Sequence, residues 1–143
     1  MHSYLRILLS NGKYLIDTNL VNKVLDIEKQ NINKVPVQNI GDFKSFIGVS
    51  TVDGDIVPIL DLKKELGLEH GAEKYDRRTY PSSVFDSKEK DTTIILEIEG
   101  SKRGYIVDDI IDLIELDDII TDKKFLNIVI GNEILTYINV EKI

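Results

Sequence analysis

The sequence contains no cysteine. That removes disulfide frameworks, thiolate zinc sites and thiol nucleophiles, and it fits a reducing compartment. Imidazole is almost as scarce: His2 lies at the terminus and His70 in a long polar segment, so neither is placed to work as a general acid or base. There is no G-x-S-x-G elbow, no phosphate-binding loop, no dinucleotide fingerprint after a strand and no His-Glu-x-x-His helix. The chain therefore reads as a non-enzyme, with no cofactor called for. Positive charge is also short, 18 Lys and Arg against 25 Asp and Glu, for a net charge of −7. This argues against nucleic acid or an anionic membrane surface as a partner, because both select basic patches. The apolar run at residues 4–9 is too short for a signal peptide, and nothing reaches the length of a membrane span. The expectation is a cytoplasmic protein without membrane insertion. With 143 residues, 42% of them apolar, the chain can bury the core of one domain or of two small subdomains.

What is present is organised around residues 46–66. Two apolar runs, 46–52 and 56–62, flank Asp53-Gly54, and Asp-Gly between such runs signals a hairpin because both residues tolerate positive φ. Ile56, Val57, Ile59, Leu60 and Leu62 leave little polar alternation, so the second arm should be covered on both faces in a small barrel or sandwich. Pro58 has no N–H for a ladder and belongs at a bulge, a corner or the edge side of its strand. Asp61 can cap a short helical turn over 63–66 that stops at Gly67.

Elsewhere the chain reads mostly as strands. Residues 4–9 and 13–17 form an opening hairpin across Asn11-Gly12. Residues 20–27 fit helical and extended periods about equally, and their Val and Ile content tilts the reading to strand. Residues 34–37 look extended and 39–45 look like a loop. The stretch 70–92 is the only long polar segment, and a loop of that length is usually functional or disordered. Within it Arg77 and Arg78, near Tyr75 and Tyr80, suit either a protein-docking spot or plain solvation. Strand signals resume at 94–99, 103–108, 109–116, 126–130 and 134–140, with turns at Gly100-Ser101 and Gly131-Asn132.

A weak internal repeat accompanies these strands. Tyr14-Leu15-Ile16-Asp17 resembles Tyr105-Ile106-Val107-Asp108, and residues 54–64 resemble residues 132–142 in order and polarity. Either the halves are related, each a small closed barrel, or two Ile/Val/Leu hairpins merely look alike. Asp108, Asp109, Asp112, Glu115, Asp117 and Asp118 form the densest acidic run. The spacing lacks the alternating ligands and central glycine of a calcium loop, so a solvated acidic face is the preferred reading and no metal site is assigned.

Gly48-Val49-Ser50-Thr51-Val52-Asp53-Gly54-Asp55-Ile56-Val57-Pro58-Ile59-Leu60-Asp61-Leu62 resembles the signature hairpin of the CheW-like domain, G-V-x-N-L-R-G-x-I-V-P-I-x-D-L. Tyr14-Leu15-Ile16-Asp17, Val21-Asn22-Lys23-Val24, Gly104-Tyr105-Ile106-Val107-Asp108 and Ile138-Asn139-Val140-Glu141-Lys142 resemble further family segments in the same order. The resemblance implies an all-β fold of two small five-stranded, SH3-like barrel subdomains packed together with few short helices. The whole chain, 1–143, would be a single CheW-like domain. Subdomain 1 would span 14–68, a linking loop 69–92, and subdomain 2 residues 93–143 plus the N-terminal strand 3–10.

It also implies a coupling scaffold of chemotaxis signalling, with the regulatory domain of the histidine kinase CheA and the cytoplasmic tip of a chemoreceptor as partners, and a monomer outside such arrays. Leu20, Val21, Lys23, Asp53 and Val107 would contact the receptor and Phe46, Ile47 and Gly48 the kinase, while Gly54, Pro58 and Asp61 would shape the hairpin. The alternative is a CheW-like regulator of a non-chemotactic histidine kinase pathway that has lost standard receptor docking. Where the family has Glu in V-x-E-I and Arg in N-L-R-G, this chain has Lys23 and Asp53. If those positions face each other, the reversal keeps an attractive pair while inverting what a partner meets.

Overall fold

The computed structural model describes residues 1–10, 12–34, 45–68 and 89–143. The predicted Asn11 turn position, the predicted extended stretch 34–37 past residue 34, the predicted loop 39–45 up to residue 44, and His70, Tyr75, Arg77, Arg78 and Tyr80 lie outside the described residues. In chain order the strands are β1 (His2–Leu9), β2 (Gly12–Asp17), β3 (Val21–Glu28), β4 (Phe46–Val52), β5 (Asp55–Asp61), β6 (Lys90–Ile98), β7 (Ser101–Ile106), β8 (Asp109–Leu116), β9 (Phe125–Ile130) and β10 (Glu133–Ile138). One short helix, α1 (Leu62–Glu65), and three 3₁₀ turns complete the described elements. None of the described helices is long and apolar enough to cross a membrane.

Local chemistry explains most of these boundaries. Asp53 and Gly54 both take positive φ, 50° and 83°, and the hairpin turns there. The Asp61 carboxylate accepts the Lys63 N–H at 3.0 Å to start α1, and Gly67 at φ 74° ends the turn that follows. Of residues 20–27, ambiguous by periodicity, 21–27 are strand, while Leu20 ends a 3₁₀ turn just before them. Pro58 sits just before Ile59, where β5 begins its parallel pairing with β7, so its missing N–H falls where that ladder has not started. The predicted Gly100-Ser101 turn lies one residue earlier, at Glu99 and Gly100, and Ser101 opens β7.

Two five-stranded sheets result, in the orders β8-β1-β2-β10-β9 and β3-β6-β7-β5-β4. Their membership differs from the division expected from sequence. β2 joins the strands of the C-terminal part, and β6 and β7, placed by sequence in subdomain 2, belong with β3 to β5. Each sheet therefore takes a hairpin from one half of the chain and three strands from the other.

Three cores follow. Ile27, Ile32, Val52, Val57, Ile59 and Ile95 fill the second sheet, and Tyr4, Leu15, Leu135 and Tyr137 fill the first. A larger cluster, including Leu5, Ile7, Leu9, Ile16, Ile94, Leu96, Tyr105 and Ile138, draws on both sheets and joins them. A central strand thus sends alternate residues into different cores, as Ile95 does against Ile94 and Leu96. That is why the middle strands read as unbroken apolar runs. Each such side chain contributes about 1.5–3 kcal/mol through burial.

The repeat is real at the level of pairing. Leu9 faces Gly12 as Ile98 faces Ser101, and Val52 faces Asp55 as Ile130 faces Glu133. Parallel pairing places Tyr137 by Leu15 as it places Ile59 by Gly104. Even the irregularities agree, since β3 carries an unopposed Asn22 and β8 an unopposed Ile111. These registers correct one detail of the sequence alignment. The counterpart of Tyr105 is Ile16, two residues beyond Tyr14, and a two-residue slip preserves which face each side chain occupies.

Candidate functional site

Lys23 and Asp53 belong to different elements, the first just after the β3 bulge and the second at the β4–β5 turn. A bulge re-aims the following side chain, and positive φ at Asp53 lifts its carboxylate toward β3. The two form an ion pair. The Lys23 hydrogen bond holds the Asp53 carboxyl below the usual carboxylate range, with Lys102 adding to the effect. On the other side of the turn, Lys102 Nζ donates to Asp55 Oδ2 at 3.0 Å, and that hydrogen bond raises the Lys102 pKa. Asn22 Nδ2 donates to Glu97 Oε2 at 3.2 Å nearby. The hairpin tip is thus held by cations from β3 and β7. Exposed apolar side chains lie close by in sequence, Val24 at 42% and Ile56 at 74% of full exposure. The tip thus sets charged pairs beside open apolar side chains.

The other expected contact residues divide by burial. Leu20 and Val21 are half-buried and pack on the core that joins the sheets. Val107 is only 3% exposed and belongs to that same core, so it offers no surface to a partner. Phe46 and Ile47 are half-buried on β4. Gly48 is buried, and a Cβ added there would come within 2.4 Å of the Asn33 carbonyl oxygen. Its glycine therefore serves the close approach of residue 33, whose backbone exchanges two hydrogen bonds with Val49 at 2.7 and 2.9 Å.

The other sheet has a corresponding charged end that sequence reading missed. By the repeat registers Lys13, Glu133 and Asp112 stand where Lys102, Asp55 and Lys23 stand. Arg6 Nε and Nη2 donate to the two Asp112 carboxylate oxygens at 2.8 and 2.6 Å, and Nη1 donates to Glu133 at 3.0 Å. Lys13 pairs with the other Glu133 oxygen. The signal was available, since Lys13 and Glu133 repeat Lys102 and Asp55. Asp108 is likewise engaged, accepting from Ser10 N at 2.5 Å and Lys63 Nζ at 2.7 Å. The acidic run is therefore only partly a plain solvated face: Asp109, Glu115, Asp117 and Asp118 are exposed, the exposed Asp112 is tied to Arg6, and the half-buried Asp108 to Ser10 and Lys63. The terminal His2 is also partnered, its Nε2 lying 2.6 Å from Asp17 Oδ1. Among the described residues no His, Cys, Asp or Glu group is arranged to hold a metal.

The Arg6 network has a pH signature. Hydrogen bonds from Arg6 to Asp112 and from Lys13 to Glu133 lower both carboxyl pKa values. Unfolded Asp and Glu titrate near 3.9 and 4.3. The network's contribution is therefore complete above that range and is lost as pH falls through the lower folded values. Arg6→Gln should be less stable than the wild type at neutral pH, and urea titrations at about pH 3 should show the gap narrowed. A gap independent of pH would assign Arg6 a packing role alone.

The model for the CheW-like domain family matches residues 3–141. Among solved structures, the chain is similar to the scaffolding protein TtCheW of Thermoanaerobacter tengcongensis, with a TM-score of 0.68 and 23% identity over 96% of this chain and 88% of that one. At that identity the likeness establishes the shared fold. No curated protein sequence matches the chain.

Proposed function

The chain belongs to the CheW-like domain family, and from that premise we propose that it is a non-enzymatic coupling scaffold of bacterial chemotaxis signalling, linking methyl-accepting chemoreceptors to the histidine kinase CheA. The reading is supported most directly by the ion-paired hairpin tip, Lys23 with Asp53, beside the exposed Val24 and Ile56. A receptor tip would dock there, with Leu20 and Val21 at the base of the contact. The CheA regulatory domain would take the β4 surface that begins at Phe46 and Ile47. Gly48 and Val107 act from beneath, by setting the backbone path and the core. The protein would act in the cytoplasm as a monomer until recruited.

The discriminating experiment offers purified protein to immobilised kinase regulatory domain and to a receptor cytoplasmic fragment, at physiological salt because low salt exaggerates charge contacts. Capture by both supports coupling. Capture by the kinase domain alone favours the alternative, a regulator of a non-chemotactic kinase that has lost standard receptor docking, and the reversed signs at 23 and 53 are what would suit it. Capture by neither removes both readings.

The pair itself predicts a mutational pattern. Lys23→Glu sets two carboxylates face to face at an exposed site, so any loss of stability should be small and screened by salt. Receptor affinity should fall about ten-fold, because the charge pattern met by the partner changes sign. Adding Asp53→Lys should restore stability while leaving receptor affinity altered. If recruitment by the double variant equals that of the wild type, the pair does not set specificity.

A further inference from the structure

The two halves fill their barrels differently at one inward position, and the difference leaves a space. Ser50 faces Val57 as Ile128 faces Leu135, so the two are counterparts. Ile128 packs against the core of its own sheet. Ser50 is 3% exposed and puts only a short hydroxymethyl side chain there. Beside it a cleft of about 440 Å³ opens between β3 and β4, a size usual for ligand sites. Leu25, Ile27 and Val52 line it along with Asp26 and Glu28, and Lys90 is the one cation among the described lining residues. β3 and β4 are the outer strands of their sheet, and among the described residues no ladder joins them, the isolated bridge of Asn33 and Val49 lying beyond the end of β3. Along the cleft their facing edges carry no ladder, and an unladdered edge is a template for another strand.

We propose that the β3–β4 cleft takes an extended peptide of a partner protein by strand addition, with a small aliphatic side chain entering the space over Ser50 and a Lys or Arg beside Asp26 and Glu28. Strand addition supplies main-chain partners to the open edges, and pockets for alternate side chains set specificity. An aliphatic residue fits because isoleucine fills the same position in the other half. A cation fits because carboxylates outnumber the single lysine of the lining. This occupant would lie on β4 next to the kinase surface proposed above, and the peptide test reads it with neither kinase nor receptor present.

The test titrates the full-length, nitrogen-15-labelled protein with a blocked Lys-Val-Lys-Val-Lys peptide and follows amide shifts. The expected result is saturable shifts at residues 25–28 and 50–52, absent with the blocked Glu-Val-Glu-Val-Glu peptide. Ser50→Ile should fill the space and weaken binding about ten-fold or more without loss of thermal stability. Asp26→Asn with Glu28→Gln provides a second variant with no change of volume and should weaken binding also. Absent shifts, shifts shared with the acidic peptide, or equal binding by both variants would overturn the proposal.

Discussion

Gly104→Leu is expected to destabilise the protein by about 3 kcal/mol or more, enough to unfold a marginal domain. The substitution installs in one barrel the residue its counterpart already has, because Leu15 occupies the matching position in the other sheet. The barrels differ in width. A Cβ at residue 104 would lie 2.8 Å from Ile59 Cδ1, 3.0 Å from Thr93 Cγ2 and 3.1 Å from Ile95 Cδ1. All three neighbours are fully buried, so none can swing into solvent. In the other sheet Tyr4 and Tyr137 stand where Thr93 and Ile59 stand here, meeting edge to face with ring centroids 5.8 Å apart. Tyr4 reaches outward to accept the Ile119 N–H at 2.8 Å. That barrel is therefore built around long side chains, and the narrower one around a missing one. Urea denaturation monitored by circular dichroism checks the loss, with Gly104→Ala expected to fall between wild type and Gly104→Leu. Equal stability of the leucine variant would show that the narrow barrel expands at little cost.

Gly48→Ala should cost about 2–4 kcal/mol, combining steric displacement with weakening of two backbone hydrogen bonds. The atom met by the new Cβ is the Asn33 carbonyl oxygen at 2.4 Å, which cannot rotate away as a side chain could. Retreat of residue 33 would stretch its hydrogen bonds to Val49 and loosen Ile32, which plugs the core of that sheet. The start of β4 would shift with it, carrying Phe46 and Ile47. Under the coupling proposal the variant should lose capture by the kinase regulatory domain while retaining capture by the receptor fragment. Denaturation midpoints together with the two-bait assay separate the effects. Unchanged kinase capture by a destabilised but folded variant would remove the β4 surface from the kinase contact.

The features legible in the sequence were those governed by near neighbours. The turn at Asp53-Gly54 and the cap from Asp61 depend on backbone conformations and hydrogen bonds spanning a few residues, and the structure has them where the pattern put them. The facing of Lys23 and Asp53 was anticipated through the family resemblance, which brought two distant segments onto one surface. The Arg6 network was missed in the same reading: the repeat signals Glu133, but Arg6 and Asp112 are far apart in the chain and belong to no shared motif. The burial of Val107 was not legible for a related reason. A valine beside a turn looks the same in sequence whether it faces solvent or, as here, the junction of two sheets.

By itself the sequence determined an all-β chain with its hairpins, turns and short capped helix, and membership of a family, while it left open a repeat that the strand registers then established. Alternation, positive-φ residues and capping groups act locally and leave a local record. Only the tertiary structure decided which strands share a sheet. β3 pairs with β6 and β8 with β1, so each five-stranded sheet is completed only by borrowing a hairpin from the other half. The apolar pattern of a strand says which face is buried, but not which distant strand will lie beside it. Pairing is selected by fit, here the wide barrel that accepts Leu15 and the narrow one that requires Gly104.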